Sequence, residues 1–314
     1  MSNSGKWILG IGAALFGIGF IILAFAFLTF STSVTSLSTD EQEESTASGK
    51  DRVAIVEIDD AITGSDEVIK EIRTYRKKTS VKAIVIRLNS PGGAVAPSQE
   101  IYEEVRKTVS MGIPVVASMG SVAASGAYYI ACGAQRIVAN PGSITGSIGV
   151  VSEFVNIKRL LDKIGIEQTT IKSGKFKDIG NPARGFTPEE IEQMQTLIDD
   201  VYEQFIEAVS YGRSLPIDSV RRIADGRIYT GRQALRLGLV DTLGTLQTAV
   251  AIAGKLGKIT GEPRVIRKRR EASLFERILG TETVEFVRDV QSRVRPPSPF
   301  EYRMQFPTSH EVTP

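Results

Sequence analysis

Ser125 is the residue in this chain with the clearest chemical potential, because it lies among small residues where a helical pattern begins, in Gly120–Ala131. A nucleophilic serine needs a base that takes its proton, yet the only histidine of the chain is the distant His310. The base must therefore be another group, most simply a lysine. The residues Ala123–Ala127 also lack the G-x-S-x-G nucleophile elbow, which together with the missing histidine argues against an α/β-hydrolase.

Each of the glycine-containing motifs near Ser125 has a structural and a functional interpretation. Asn89–Gly93 alone is best explained as a tight turn between a strand and a helix, and a serine among alanines usually packs within a helix or caps it. The functional interpretation is that glycine N–H groups stabilise a developing oxyanion near a helix N-terminus. Gly126 would supply one such N–H and leave room for a substrate.

The lysines downstream of Ser125 are the candidate bases. Lys158 and Lys163 follow a polar–apolar helical pattern that predicts exposure to solvent. The other three cluster in Ile171–Asp178 and are Lys172, Lys175 and Lys177. Deep burial can lower a lysine pKa from about 10.4 to roughly 5–6, so a buried amine can accept a proton from serine. Spacing alone does not choose among the three.

Short apolar runs and helical patterns alternate along the chain. This alternation predicts an α/β fold with a mainly parallel sheet, whose sites lie where strands end. Strands are predicted over 53–58, 83–88, 114–119, 136–139, 148–151 and 167–171. Helices are predicted over 65–76, 97–111, from about 123, and over 188–211, with shorter helices following to about 256.

The N-terminal residues 7–30 contain no charged residue. As a helix they would span roughly 36 Å, enough for a hydrocarbon core of about 30 Å. A cleaved signal peptide is the alternative, although its small-x-small site, Ala24–Ala26, lies inside the apolar run. We expect a retained single-pass anchor in the cell membrane. Because Lys6 precedes it and only acidic charges follow in Ser31–Gly49, the N-terminus is expected in the cytoplasm and the catalytic domain outside.

The composition bounds the partners and the domains. With 38 Lys and Arg against 36 Asp and Glu, nothing in the charge balance favours nucleic acid. The single cysteine, Cys132, excludes an intramolecular disulfide.

We predict a cytoplasmic stub over 1–6, the anchor over 7–30, a flexible linker over 31–51, a catalytic domain over 52–260 and a C-terminal extension over 261–314.

Five sequence blocks, in order and with matching spacing, resemble the signal peptide peptidase A family. They are Asn89–Gly93, Met119–Ala131, Asn140–Gly149, Ser173–Asp178 and Ala224–Asp241. The resemblance extends from about Val53 to Leu256. It implies a membrane-anchored Ser/Lys protease with a Clp-protease/crotonase-like fold, without a cofactor or a metal.

The resemblance also implies a role for individual residues. Ser125 matches the nucleophile and Lys177 matches the general base. Gly92 and Gly126 match the oxyanion N–H donors, and Ser147 matches the serine that holds the lysine amine.

Substrates and partners follow from the same resemblance. Members of the family cleave hydrophobic peptides, such as remnants of cleaved signal peptides, and assemble into homo-oligomers. Tyr128 and Tyr129 would line an apolar groove or belong to the core, and Lys175 is expected to be exposed or to face the substrate. The competing hypotheses are a Clp-type Ser-His-Asp protease, a crotonase-like acyl-CoA enzyme and an inactive membrane scaffold on the same fold.

Overall fold

The computed structural model of the chain describes residues 51–268 and 300–303. The predicted anchor, over 7–30, lies outside the described residues and stays a prediction. Within the described residues, no helix combines the length and the apolar character that crossing a bilayer requires.

The strands of the described residues define the centre of the fold. They are β1 Arg52–Asp59, β2 Val81–Ser90, β3 Gly92–Ala94, β4 Val115–Ala124, β5 Arg136–Ala139, β6 Ile144–Gly146, β7 Ile228–Thr230, β8 Thr242–Leu243, β9 Arg264–Arg267 and β10 Glu301–Arg303. The described helices are α1 Asp66–Lys77, α2 Val95–Ser110, α3 Gly126–Ala131, α4 Lys158–Ile164, α5 Pro188–Arg213, α6 Ile217–Arg221, α7 Gly231–Arg236 and α8 Leu246–Leu256.

Eight of these strands form one sheet in the order β7-β6-β4-β2-β1-β9, with β5 joining β4 to β8. Among the described strands of this sheet, every pair is parallel except β6 with β7. The predicted α/β class is confirmed, and the mostly parallel sheet fits the Clp-protease/crotonase-like architecture.

Both faces of the sheet are covered by helices, which explains the continuous apolar strand sequences. Side chains alternate across a strand, so Ala54 and Val56 point to one face and Val53 and Ile55 to the other. The first face packs in the main core with buried residues of α1, α2, α3 and α5. The second packs against Ala249, Val250 and Ala253 of α8.

The length of β4 positions the candidate nucleophile. Residues 116–118 of β4 pair with β5, and residues 122–124 pair with β6. The strand therefore continues to Ala124, beyond the predicted end at residue 119, and α3 begins at Gly126 and not near residue 123. Ser125 is the single residue between them.

Two predicted strands are wrong. In the segment 148–151 only Val151 forms an isolated bridge, with Glu301, and residues 167–171 form no strand. Ile171 is 96% exposed. The segment 167–171 pairs with no described strand, and a predicted strand without a pairing partner does not form.

The predicted C-terminal extension contributes strands to this architecture. β9 pairs in parallel with β1 at the edge of the main sheet. β10 pairs antiparallel with β3 in a separate two-stranded sheet.

Candidate active site

Ser125 lies where the chain leaves β4 and enters α3. Its N–H donates to the Gly146 carbonyl at 2.8 Å, and its carbonyl accepts the Tyr129 N–H at 2.8 Å. The backbone of Ser125 has φ 52° and ψ −117°, a conformation that residues other than glycine seldom adopt. Such strain persists where the surrounding structure enforces it, and it is concentrated at functional sites.

The Ser125 hydroxyl is buried without a partner. The residue is 1% exposed, and its Oγ hydrogen-bonds to no group in the part of the chain that the structure describes. Leaving a buried hydroxyl unpaired costs about 1–3 kcal/mol, and native proteins rarely do so without a functional reason. A nucleophile that lacks its base would have this arrangement.

Gly92 and Gly126 bring their backbones against Ser125. Gly92 has φ +106°, and a Cβ there would lie 2.8 Å from the Gly126 nitrogen and 3.0 Å from the Ser125 Cβ. A Cβ on Gly126 would lie 2.5 Å from the Ser98 Oγ. The close approach requires glycine at both positions. The structure therefore brings together three of the predicted site residues.

The turn contains two glycine N–H groups, those of Gly92 and Gly93. The Gly92 N–H donates to Ser90 Oγ at 3.1 Å, so in this structure it is already engaged. The nitrogen of Gly93 lies 3.3 Å from the Cβ position of Gly126. Gly93 is therefore a further candidate oxyanion donor, which the sequence motif contained but our sequence interpretation did not single out.

Two polar side chains shape this turn. The Asn89 Oδ1 accepts the backbone N–H groups of Ser121 and Val122, at 3.1 and 3.4 Å. Ser90 is fully buried, and its Oγ accepts the Gly92 N–H. The end of β2 is thereby tied to the segment of β4 that leads to Ser125. The only sequence signal for the role of Ser90 is that it is a polar residue directly before Pro91.

Ser147 directly follows Gly146, the last residue of β6. The Gly146 carbonyl accepts the Ser125 N–H. Ser147 is 8% exposed and has φ 50°. Its N–H donates to the Arg227 carbonyl at 2.9 Å. The structure thus places Ser147 next to the backbone that supports Ser125.

Lys177 does not meet Ser125 within the described chain. It is exposed, and its N–H donates to the Gly174 carbonyl at 3.2 Å. The neighbouring lysines have ionic partners: Lys172 pairs with Asp178, and Lys175 lies 3.8 Å from Glu189. No ion pair or hydrogen bond of the Lys177 ammonium occurs within 51–268 and 300–303. Of the three candidate bases, Lys177 is the one whose side chain has no ionic partner among the described residues.

An ionic network holds the segment that carries Lys177. Arg184 donates to Asp178 at 2.9 Å and to Glu190 at 2.7 Å. Hydrogen bonds from Arg184 and Lys172 hold the pKa of Asp178 well below its ordinary value. The Arg184 guanidinium likewise lowers the pKa of Glu190 to about 2. Arg184 thereby connects Asp178, the residue after Lys177, to Glu190 in the first turn of α5.

Replacing Arg184 by alanine should flatten the acid dependence of stability. Asp178 and Glu190 have lower pKa values folded than unfolded. Their stabilisation is therefore complete above about pH 5 and is lost as the pH falls toward about 2. Without Arg184 its share of this contribution is lost, although Lys172 still binds Asp178, so the melting temperature should be lower at pH 7 and fall less on acidification. Thermal melts from pH 7 to pH 2 measure both effects.

The matched control is Lys158→Ala, which removes an exposed pair with Asp162. Its melting curve should stay close to wild type across the same pH range, because exposed ion pairs contribute little. An Arg184→Ala profile parallel to wild type would contradict the role of the network.

The chain matches the profile of peptidase family S49 over residues 107–260. The matched region includes Ser125, Ser147 and Lys177, whereas the Asn89–Gly93 turn lies before it.

Individual relatives match between 62% and 67% of the chain. A Synechocystis sp. protein named as a candidate protease is 47% identical over 204 residues, which are 64% of this chain and 73% of that protein. The chloroplastic serine protease SPPA of Arabidopsis thaliana is 36% identical over 67% of this chain and 33% of its own length. Protease 4 of Salmonella typhi is 39% identical over 62% of this chain and 32% of its own length. The chain therefore spans about a third of the last two proteins.

Proposed function

Because the chain belongs to the signal peptide peptidase A family of serine peptidases, peptidase family S49, we propose that it is a membrane-anchored serine endopeptidase in which Ser125 is the nucleophile and Lys177 the general base. The observation that carries the proposal is the buried Ser125 hydroxyl, which lacks a hydrogen-bond partner among the described residues and lies against Gly92 and Gly126.

The proposed reaction follows the chemistry of acyl transfer. The neutral Lys177 amine takes the Ser125 proton while Oγ attacks the scissile carbonyl carbon. The carbonyl oxygen becomes an oxyanion, which the N–H of Gly126 and a glycine N–H of the 89–93 turn stabilise. Lysine then gives its proton to the leaving amine, the carbon–nitrogen bond breaks, and an acyl-serine remains. Water, activated by the same amine, hydrolyses this ester and restores Ser125.

A second copy of the chain would complete the proposed dyad. Ser125 Oγ has no described partner, and Lys177 is exposed on the long segment between β6 and α5. This segment exposes several large apolar side chains, namely Val155, Leu160, Ile164, Ile166 and Ile171, which are 52–96% exposed. Exposed apolar side chains in one region favour an interface between protein molecules. We therefore propose a homo-oligomer in which assembly buries Lys177 and brings it to Ser125.

The membrane location and the substrates are part of the same proposal. The uncharged N-terminal run over 7–30 supports a single-pass anchor. Lys6 before this run and the acidic charges after it support a catalytic domain outside the cytoplasm. An Enterococcus faecium relative, 34% identical over 218 residues, is named as a candidate signal peptide peptidase. We propose hydrophobic peptides, such as cleaved signal peptides, as substrates.

Covalent labelling tests the function directly. A small serine-directed phosphonofluoridate should modify Ser125 in the intact protein, and mass spectrometry of the digest locates the adduct. Labelling should be much slower in the Lys177→Ala variant, because no base then removes the proton of the Ser125 hydroxyl and a neutral hydroxyl is a poor nucleophile. Exposed Ser121 should remain unmodified and serves as the internal control. A crotonase-like acyl-CoA enzyme would not react at Ser125, so an unlabelled Ser125 together with intact peptide substrates would overturn the proposal.

A further inference from the structure

The peptide between Gly92 and Gly93 lies directly beside Ser125. A Cβ on Gly92 would lie 3.0 Å from the Ser125 Cβ, and the Gly93 nitrogen lies 3.3 Å from the Cβ position of Gly126. Glycine has a wider choice of backbone conformations than any other residue. A peptide flanked by two glycines therefore keeps one orientation only if neighbouring groups hold it by hydrogen bonds.

The carbonyl of this peptide has two donors. The Ile62 N–H donates to the Gly92 oxygen at 2.8 Å, and the Ser90 hydroxyl donates to the same oxygen at 3.3 Å. The peptide bonds of the described residues are trans, and in a trans peptide the C=O and N–H bonds point in opposite directions. The Gly93 N–H therefore points away from Ile62.

The Ser90 side chain also engages the other polar group of Gly92. Its Oγ accepts the Gly92 N–H at 3.1 Å, so one hydroxyl contacts both the N–H and the C=O of the same residue. Ser90 is fully buried. It is the last residue of β2 and pairs with Ala123 of β4, two residues before the candidate nucleophile. The hydroxyl therefore fixes the turn relative to the strand that leads to Ser125.

We propose that Ser90 is a positioning residue of the candidate active site, whose hydroxyl holds the Gly92–Gly93 peptide so that the Gly93 N–H points at the oxyanion formed when Ser125 attacks. This inference rests on the proposed peptidase function and adds to it the side chain that orients an oxyanion donor. Ser90 acts through the peptide that it holds and does not itself contact the substrate.

Loss of the hydroxyl would leave the Gly92 N–H without its acceptor in a buried site. An unpaired buried N–H is unfavourable, so the turn should rearrange to find another partner, and its two glycines offer little resistance. The Gly93 N–H would then change direction. Because an oxyanion donor stabilises charge that is present only in the transition state, its loss of alignment should lower kcat and leave KM nearly unchanged.

Steady-state kinetics of the full-length Ser90→Ala protein on a hydrophobic peptide test this role. We expect kcat to fall by about 10- to 100-fold, less than the roughly 10²–10³-fold loss caused by deleting an oxyanion donor outright. KM should change by less than about two-fold, as for an interaction made only in the transition state. An unchanged kcat, or a rise in KM without a fall in kcat, would overturn the proposal.

Inhibitor binding supplies a readout that a merely structural role would not move. When a peptide aldehyde binds, its carbonyl carbon bonds to the Ser125 Oγ and its oxygen takes the place of the oxyanion. Its affinity for Ser90→Ala should therefore fall by about the same factor as kcat. A product peptide, which forms no such bond, should bind wild type and Ser90→Ala equally well. An equal loss of affinity for the aldehyde and for the product peptide would contradict the positioning role.

Ser143→Ala is the matched control. Ser143 is also a buried serine in a turn, and its Oγ accepts the Asn140 N–H at 3.1 Å and donates to the Gly120 carbonyl at 2.6 Å. Removing this hydroxyl should lower the melting temperature about as much as Ser90→Ala does, since each loses two main-chain hydrogen bonds, but kcat should stay near wild type. A fall in kcat by the same factor in both variants would reject the specific role of Ser90.

A second variant guards against unfolding of the first. Ser90→Cys nearly fills the space of the native side chain, but its sulfur is a weak hydrogen-bond acceptor. The kcat of this variant should also fall by about 10-fold or more at an unchanged KM. A Ser90→Cys protein with the wild-type kcat would show that the hydroxyl is not needed for the turn.

Failure of the inference and failure of the proposed function give different results. A wild-type protein that neither hydrolyses peptides nor reacts with the phosphonofluoridate would reject the peptidase, and the role of Ser90 with it. Hydrolysis by the wild-type protein together with an unchanged kcat in Ser90→Ala would retain the peptidase and reject the positioning role alone.

Discussion

Replacing Ser125 by alanine should abolish peptide hydrolysis and leave the fold as stable as that of the wild-type protein. The activity should fall by about 10³-fold or more, because the bond to the acyl group can no longer form. Stability should hold because the Ser125 Oγ has no hydrogen-bond partner among the described residues. Alanine and serine both carry a Cβ, so the strain at φ 52° is the same for both. Initial rates on a hydrophobic peptide and thermal melts measure the two effects.

Ser118→Ala is the matched control, and its effects should be the reverse. Ser118 is 1% exposed on β4, and its hydroxyl accepts a hydrogen bond from Arg87 at 3.0 Å. Removing that hydroxyl should destabilise the protein by about 1–3 kcal/mol while preserving hydrolysis. Hydrolysis that survives in Ser125→Ala would reject the assignment of the nucleophile.

Replacing Lys177 by alanine should reduce hydrolysis by about 10²–10⁴-fold, the range over which a general base contributes. Lys175→Ala should retain most of the activity, because Lys175 lies near Glu189 and is 62% exposed. Both lysines are exposed in the chain, so neither change should shift the melting temperature appreciably. The wild-type rate should rise toward alkaline pH, since only a neutral amine accepts the serine proton.

Mixing the two inactive variants tests where the base comes from. If Lys177 reaches Ser125 of another copy, co-assembled Ser125→Ala and Lys177→Ala proteins should regain measurable hydrolysis, because some sites combine an intact serine with an intact lysine. No recovery, despite proven co-assembly, would place the dyad within one chain. Full activity of Lys177→Ala alone would leave Lys172 or Lys175 as the base.

Much of the site could be predicted from local sequence. The chain has one histidine, His310, and this count alone directed attention to lysine as the base. The sequence predicts Ser125 beside the start of a helix, and the structure has it immediately before α3. Such features can be predicted because they depend on residue types and on the pattern of apolar residues over a few neighbouring positions.

Other features depended on partners distant in sequence. The segment 167–171 was predicted as a strand, yet it pairs with no described strand. β10 has only three residues, too short for a periodic signal, but it pairs with β3 far earlier in the chain. Residue order does not encode such pairings locally, because the stabilising contacts form only after the sheet has assembled.

For the candidate site, the sequence by itself determined the chemical inventory: a serine without histidine, three clustered lysines and two glycines in a turn. Only the tertiary structure decided which of these meet. It brings Gly92 and Gly126 against Ser125, leaves Lys177 exposed, and pairs β10, which contains Tyr302, with β3. The physical reason is that residue types fix which groups can react or hydrogen-bond, whereas distance, burial and strain arise from the packing of segments far apart in the chain.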